Sequence, residues 1–442
     1  GDVYKRQILF FFINLHSYQP FFINMGKYTT KRQLMCLIYL FLHITIQANI
    51  MPHYHFKRLT SLEGLPCNDI QKIYQSPDGY IWLASKNGFY RYDGYSFKTY
   101  KSNLYHPTLL SNNNILCLEE DIENRLWIGT DKGLNVLLRK TGEIKQIKRI
   151  EFINNSISAL RSTRNGKLFI GTDQGLFCYD YNTDSCTLYN RQNTNGIFPE
   201  TPVKSLLEDS HGHLWIGTWN QGLFRYDLAK NRFYAYPRML PKSAHVIFED
   251  SKKRIWIGTW GSGLYVLENA YDPDNVRWKS FSHENGNAKS LPHDIIYSIS
   301  EDINSRNIWI GTSLGLSILN DESKGTFTNF YPSEKDETIS DAEVTSLLCD
   351  KQGMMWIGML RGGVNTVSTR KPFFKSYPMK GLKQEFKTQT VSCILIDKDN
   401  QTLWMVIGTS GLKNTTYTII LGKKYQKKNT SLQNPVFLPS SK

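Results

Sequence analysis

Seven cysteines in 442 residues, none spaced as C-x-x-C, exclude a disulfide scaffold and the common structural zinc sites. After residue 46 no apolar run approaches the roughly 20 residues that a membrane helix needs. Walker, dinucleotide and nucleophile-elbow motifs are absent. His211 and His213 stand one residue apart without a third convergent ligand, so no metal site is expected. No acidic pair interrupts the pattern in the way a glycosidase would need, so no catalytic residue and no cofactor is assigned. Lys and Arg (53) outnumber Asp and Glu (39), giving a net charge of +14. That excess is scattered, apart from Lys423, Lys424, Lys427 and Lys428, and forms no basic stripe. Nucleic acid is therefore not an expected partner.

What is abundant is aromatic: 13% Phe, Trp and Tyr, with 40% hydrophobic residues, enough for a large β core. The aromatics recur in phase. Trp82, Trp127, Phe169, Trp215, Trp256, Trp309, Trp356 and Trp404 each open a segment of the type Trp-Ile-Gly-Thr, at spacings of 45, 42, 46, 41, 53, 47 and 48 residues. Around each lie four short strands. Val203–Leu207, then Trp215–Thr218, Leu223–Asp227 and Phe233–Tyr236 show one complete unit, joined by polar turns. Four strands per period of about 45 residues predict an all-β propeller of four-stranded blades. The repeated aromatics are expected to wedge between blades. The Gly after each should mark close backbone packing, and the Gly of the following turn a positive φ. Turns such as Asp209–Gly212, Asp350–Gly353 and Pro77–Gly79 read as hairpin turns, since they lack the ligand spacing of a calcium loop.

Counting strands predicts how the ring closes. Eight aromatic outer-strand segments precede the eighth motif, but only seven sets of inner strands do. His55–Leu59 should therefore supply the outer strand of blade seven, leaving Phe373–Tyr377 to a following ring. The propeller is assigned to residues 49–380, the first strands of a second to 381–412, and a polar tail to 413–442. Upstream, Met25 with Lys27, Lys31 and Arg32, an apolar run from Leu34 to Ile46 and then Gln47-Ala48 reads as a signal peptide over 25–48. Residues 1–24 would then be upstream translation. An exported chain leaves open whether Cys178 and Cys186, eight apart, cross-link or stay free.

Candidate ligand contacts come from departures from the repeat. The loop between second and third strands reads Trp219-Asn220-Gln221 in blade four, Trp260-Gly261-Ser262 in blade five and Leu360-Arg361-Gly362 in blade seven. Trp219, Asn220, Trp260 and Arg361 are thus expected on one face near the axis. Exposed indoles stack on the apolar faces of a sugar while amides and guanidinium take its hydroxyls.

Gly64-Leu65-Pro66, Pro77-Asp78-Gly79-Tyr80-Ile81-Trp82 and Asn87–Phe97 resemble the opening blade of the two-component regulator propeller family. Leu110–Ile115 and Ser290–Ile295 are similar to that family's inter-blade link. The resemblance covers residues 54–412. It implies a periplasmic sensor propeller of a hybrid two-component system in Bacteroides-like bacteria. A second propeller, an immunoglobulin-like domain, a membrane helix, a histidine kinase and an AraC-type DNA-binding domain would follow. It further implies an oligosaccharide ligand, a homodimer in the intact sensor and control of polysaccharide-utilisation genes. The membrane would be met only through downstream segments. Rival readings are a periplasmic glycan lyase or hydrolase built on a propeller, and a protein-interaction propeller.

Overall fold

A computed structural model describes residues 54–102, 109–236, 243–333 and 338–370, together with the strands Thr390–Asp397, Thr402–Gly408 and Tyr417–Leu421. The signal-peptide segment 25–48, residues 1–24 and Phe373–Tyr377 lie outside the described residues. The chain divides into two compact units, Gly1–Arg370 and Lys371–Lys442.

The first unit is a seven-bladed propeller of four-stranded antiparallel sheets. Blade one runs Ile70–Gln75, Ile81–Ser85, Gly88–Tyr92 and Phe97–Tyr100 from the axis outward, and the later blades repeat that order. The innermost strands touch in sequence round the ring, the last (Val344–Cys349) meeting the first (Ile70–Gln75). Closure is as the strand count predicts. Lys57–Leu59 forms the outer strand of the seventh blade, pairing Lys57 with Thr366 and Leu59 with Val364. Phe56, just before it, is buried against Trp309, Val344 and Ile357 and fastens the N-terminal strand to the core.

Seven apolar clusters fill the seven gaps between blades, and each contains one repeated aromatic seated against the next blade. Trp215, for example, packs on Ile247, Ile255 and Ile257 of blade five. Trp82, Trp127, Trp215, Trp256 and Trp309 are no more than 2% exposed. Removing such a side chain typically costs about 3–5 kcal/mol. The neighbouring glycine is demanded by contact: a Cβ at Gly217 would run into Ser205 Oγ and the carbonyl of Ala244 in the next blade.

The aspartate turns do more than reverse the chain. In four blades an Asp six residues before the Trp accepts its indole N–H: Asp121 from Trp127 (2.8 Å), Asp209 from Trp215 (2.8 Å), Asp250 from Trp256 (2.9 Å) and Asp350 from Trp356 (2.9 Å). The same carboxylates accept backbone N–H groups of their turns, as Asp209 does from His211 and His213. A buried indole donor is thereby satisfied by the turn that positions it. Blade six carries one extra residue between Asp302 and Trp309, and there the clamp is lost: among the described residues the buried Trp309 Nε1 has no acceptor. Asp302 instead takes the hydroxyls of Ser305 and Thr369 (2.5 and 2.6 Å).

Cys178 and Cys186 are free thiols. Register explains why. Cys178 lies opposite Thr187 and Cys186 opposite Tyr179, so the two thiols face opposite sides of blade three. Cys186 joins the cluster shared with blade two and Cys178 the cluster shared with blade four.

The second unit contains a three-stranded antiparallel meander, Thr390–Asp397, Thr402–Gly408 and Tyr417–Leu421. Trp404 sits on its central strand opposite Leu395. The segment 413–442, read from sequence as a tail without elements, thus supplies one strand, with Leu421 paired to Leu403.

A candidate ligand face at the channel mouth

In every blade the loop after the Trp-Ile-Gly-Thr strand returns beside the start of the innermost strand, because those two strands are antiparallel neighbours. Backbone bonds fix this: Trp219 N–H to Pro202 O (2.9 Å) and Leu360 N–H to Glu343 O (3.0 Å). Trp260 also bridges to Ile295 of blade six and donates its N–H to Ser243 Oγ (3.0 Å). The predicted loops therefore share one end of the ring.

Here Trp219 and Trp260, from adjacent blades, stand with ring centroids 5.3 Å apart and planes inclined by 56°. They are 39% and 41% exposed, in contrast to the buried repeat tryptophans. Among the described residues neither indole N–H has a protein acceptor. The shelf continues inward: Trp260 touches His245 (5.2 Å) and Tyr297 (5.6 Å). Lys204 lies over Trp219, its Nζ 5.9 Å from the ring and 2.8 Å from Asp173 Oδ1.

Arg361 stands two blades on and joins through a chain of contacts. Tyr297 OH donates to Glu343 Oε2 (3.4 Å), and Glu343 Oε1 accepts from Arg361 Nη2 (3.1 Å). The Arg361 backbone N–H is held by Asp341 Oδ2 at 2.9 Å. Arg361 is thus a paired guanidinium rather than a free one. Asn220 departs from expectation: its Oδ1 accepts the Thr201 hydroxyl (2.8 Å), which ties the amide back to its own blade. The structure brings Trp219 and Trp260 together, links Arg361 to them through Tyr297, and leaves Asn220 engaged elsewhere.

Three further side chains of this face, Lys204, His245 and Tyr297, occupy the same position of successive innermost strands. In blades four and six that residue is a β-bulge, skipped in the pairing between Val203 and Ser205 and between Ile296 and Ser298. A bulge re-aims one side chain without breaking the sheet. Comparing this position across repeats (Gln71, Leu116, Ser158, Lys204, His245, Tyr297, Thr345) shows the variability that marks it, whereas its flanking residues stay apolar or small except for Lys72 in blade one. Burial first, then the charges of Lys204 and Lys72, push the His245 imidazole down to about 4, so it is neutral at pH 7.

The other end of the channel is built differently. A cavity of about 350 Å³ there is lined by Tyr74, Glu119, Arg161 and Glu208 among others. Its carboxylates are already committed. Glu119 accepts the Ser162 N–H (3.1 Å) and lies 3.5 Å from Arg161, while Glu208 accepts the Arg164 N–H (3.1 Å). His211 and His213 sit in an aspartate turn at this end. His211 Nδ1 is 2.8 Å from Tyr271 OH, and His213 Nδ1 is 3.3 Å from Asp209. Among the described residues no group of three or more His, Cys, Asp or Glu side chains is placed to hold a metal ion, and no helix is long and apolar enough to cross a membrane.

Comparison with known proteins agrees with this architecture. Residues 64–87, 109–132, 197–220, 239–261 and 338–361 match the two component regulator propeller repeat, in blades one, two, four, five and seven. The unmatched blades are three, with Phe169 in place of Trp, and six, with the extra residue before Trp309. The extracellular domain assigned to a hybrid two-component system of B. thetaiotaomicron superposes with a TM-score of 0.62 at 24% identity, over 83% of this chain and 48% of that one. Virginiamycin B lyase from Staphylococcus aureus shares the fold more distantly (TM-score 0.54, 12% identity, 72% of this chain and 99% of the lyase). Histidine kinase P4 of Formosa agariphila is 29% identical over 75 residues, 17% of this chain and 5% of the kinase. The chain thus spans about half the length of the bacterial extracellular domain it matches and a small part of the kinase. With five repeats matched in phase with its seven blades, the chain belongs to the two-component regulator propeller family.

Proposed function

We propose that this chain is the exported ligand-sensing region of a two-component system, and that it takes an oligosaccharide on the Trp219–Trp260 shelf. The observation that carries this reading is the contrast between two classes of tryptophan in one repeat. Trp82, Trp127, Trp215, Trp256 and Trp309, in phase with the repeat, are sealed between blades, whereas the two that break the phase are some 40% exposed and adjacent. Inclined indoles with unbonded N–H groups, flanked by Tyr297 and Arg361, offer stacking and hydrogen bonding together, the combination that a pyranose requires. Similarity to an extracellular domain assigned to a hybrid two-component system supports the sensor role. In the intact protein, ligand binding would bias the arrangement of paired subunits and pass that bias to a kinase and to transcription of polysaccharide-utilisation genes. The test is thermal-shift screening of the full chain against soluble oligosaccharides. A stabilising ligand that also quenches tryptophan emission, with both effects lost in Trp219→Ala/Trp260→Ala, is expected. Stabilisation that survives in that double variant would overturn the assignment of the shelf.

A further inference from the structure

Inside the channel, below the shelf, stand two polar side chains that the protein leaves unbonded. Lys72, on the innermost strand of blade one, is exposed to the channel, and among the described residues its ammonium group meets no acceptor. Burial within the ring pulls this ammonium below its ordinary range, against the opposing effects of Cys117 and Glu119. Across the ring, His245 Nδ1 is buried without a partner, and no protein group bonds its Nε2. The fields of Lys72 and Lys204 both reach this imidazole, so three basic groups from blades one, four and five converge there.

Three carboxylates of the channel are already committed. Asp173 holds Lys204 (2.8 Å), Glu343 holds Arg361 (3.1 Å), and Glu119 lies against Arg161 (3.5 Å). Lys72 therefore keeps an uncompensated positive charge, beside an uncommitted imidazole whose burial without a partner is unfavourable. The hydroxyls of a neutral saccharide would hydrogen-bond Lys72 and His245 but leave the ammonium charge uncompensated. An anion would answer both, and would be worth more inside the ring than at an open surface because it is poorly screened there.

Building on the saccharide reading above, we infer that the ligand is acidic. While one of its rings stacks on Trp219 and Trp260, a carboxylate or sulfate group enters the mouth between Lys72, Lys204 and His245. Uronate and sulfate present the same charge to these residues, and the experiment separates them.

The experiment is isothermal titration of the full chain with three matched sets of oligosaccharides: uronates, the same uronates as methyl esters, and sulfated sugars. Lys72→Met and Lys72→Gln are titrated alongside, with melting temperatures as the folding control. The expected result is binding from the uronate or the sulfated set. The ester counterpart of a bound uronate should fail to bind, and both lysine variants should lose at least tenfold in affinity with an unchanged melting temperature. Binding of neutral sugars only, or acidic binding indifferent to Lys72, would overturn the inference and leave the saccharide reading standing. Failure of all three sets would overturn that reading and this inference with it.

Discussion

The two ends of the propeller channel are made from the same repeat and differ in what they do with it. At the aspartate-turn end most blades share one plan. A turn carboxylate caps the inter-blade Trp in four of seven blades, and glutamates at the ends of innermost strands latch the preceding blade, as Glu249 does with Ser210 and Glu301 with Ser251. Polar groups there mostly satisfy one another, with Trp309 Nε1 and Arg161 Nε as exceptions. At the loop end the plan is broken in blades four, five and seven. That end carries exposed indoles in blades four and five, an unbonded imidazole in blade five and, in blade one, an unpaired lysine. In a repeat protein, positions that keep the period hold the ring together, and positions that leave it are free to serve a ligand.

This contrast can be broken most severely at the closure. Deleting residues 54–59 removes Phe56 and the outer strand of blade seven. It should cost about 5 kcal/mol or more, enough to abolish the cooperative melting transition followed by near-ultraviolet circular dichroism. Next comes the clamp. Asp209→Ala strips the acceptor from Trp215 Nε1, from the turn N–H groups and from Tyr271 OH (3.1 Å). Leaving those donors buried should cost about 2–4 kcal/mol in urea unfolding.

Acid should act on the two ends in opposite directions. His245 is held at about 4, so its unfolded form binds a proton that the folded form refuses, and stability falls as pH drops from 7 toward 5. Glu119, which burial pushes up to about 7, binds its proton preferentially in the folded state and offsets part of that loss. Compared with wild type, His245→Gln should therefore be spared about 1 kcal/mol of acid destabilisation, allowing for partial solvent access to the ring. Equal pH slopes in the two proteins would contradict the assignment.

Blade six offers a natural control for the clamp. Trp256→Phe removes a made hydrogen bond and Trp309→Phe does not, so the first should be more destabilising by about 1 kcal/mol. The smallest effect belongs to the shelf. Trp219→Ala and Trp260→Ala should each change unfolding free energy by no more than about 0.5 kcal/mol, because neither side chain is sealed in the core.

How much of this could be read from the chain follows the same division. The blades, the wedging aromatics, the glycines against the next blade and the closing N-terminal strand are all consequences of period and strand count. Trp219, Trp260 and Arg361 were visible as exceptions to the period. Lys204, His245 and Tyr297 were not singled out, because their convergence depends on a bulge and on the curvature that carries successive inner strands round one axis. The turn aspartates were legible as turn residues only, since the bond to an indole six residues on appears when the hairpin is closed. Asn220 looked free until the fold placed Thr201 beside it. Cys178 and Cys186 could be separated only once the register had fixed which face each thiol takes.

The loop end of the channel, and not the aspartate-turn end, is expected to receive the ligand. A crystal structure of the full chain with an oligosaccharide that stabilises it tests this directly. A sugar ring in van der Waals contact with both Trp219 and Trp260, within reach of Tyr297 and Arg361, is the expected result. A sugar bound in the cavity beside Glu119 and Arg161, with the indole pair untouched, would contradict it.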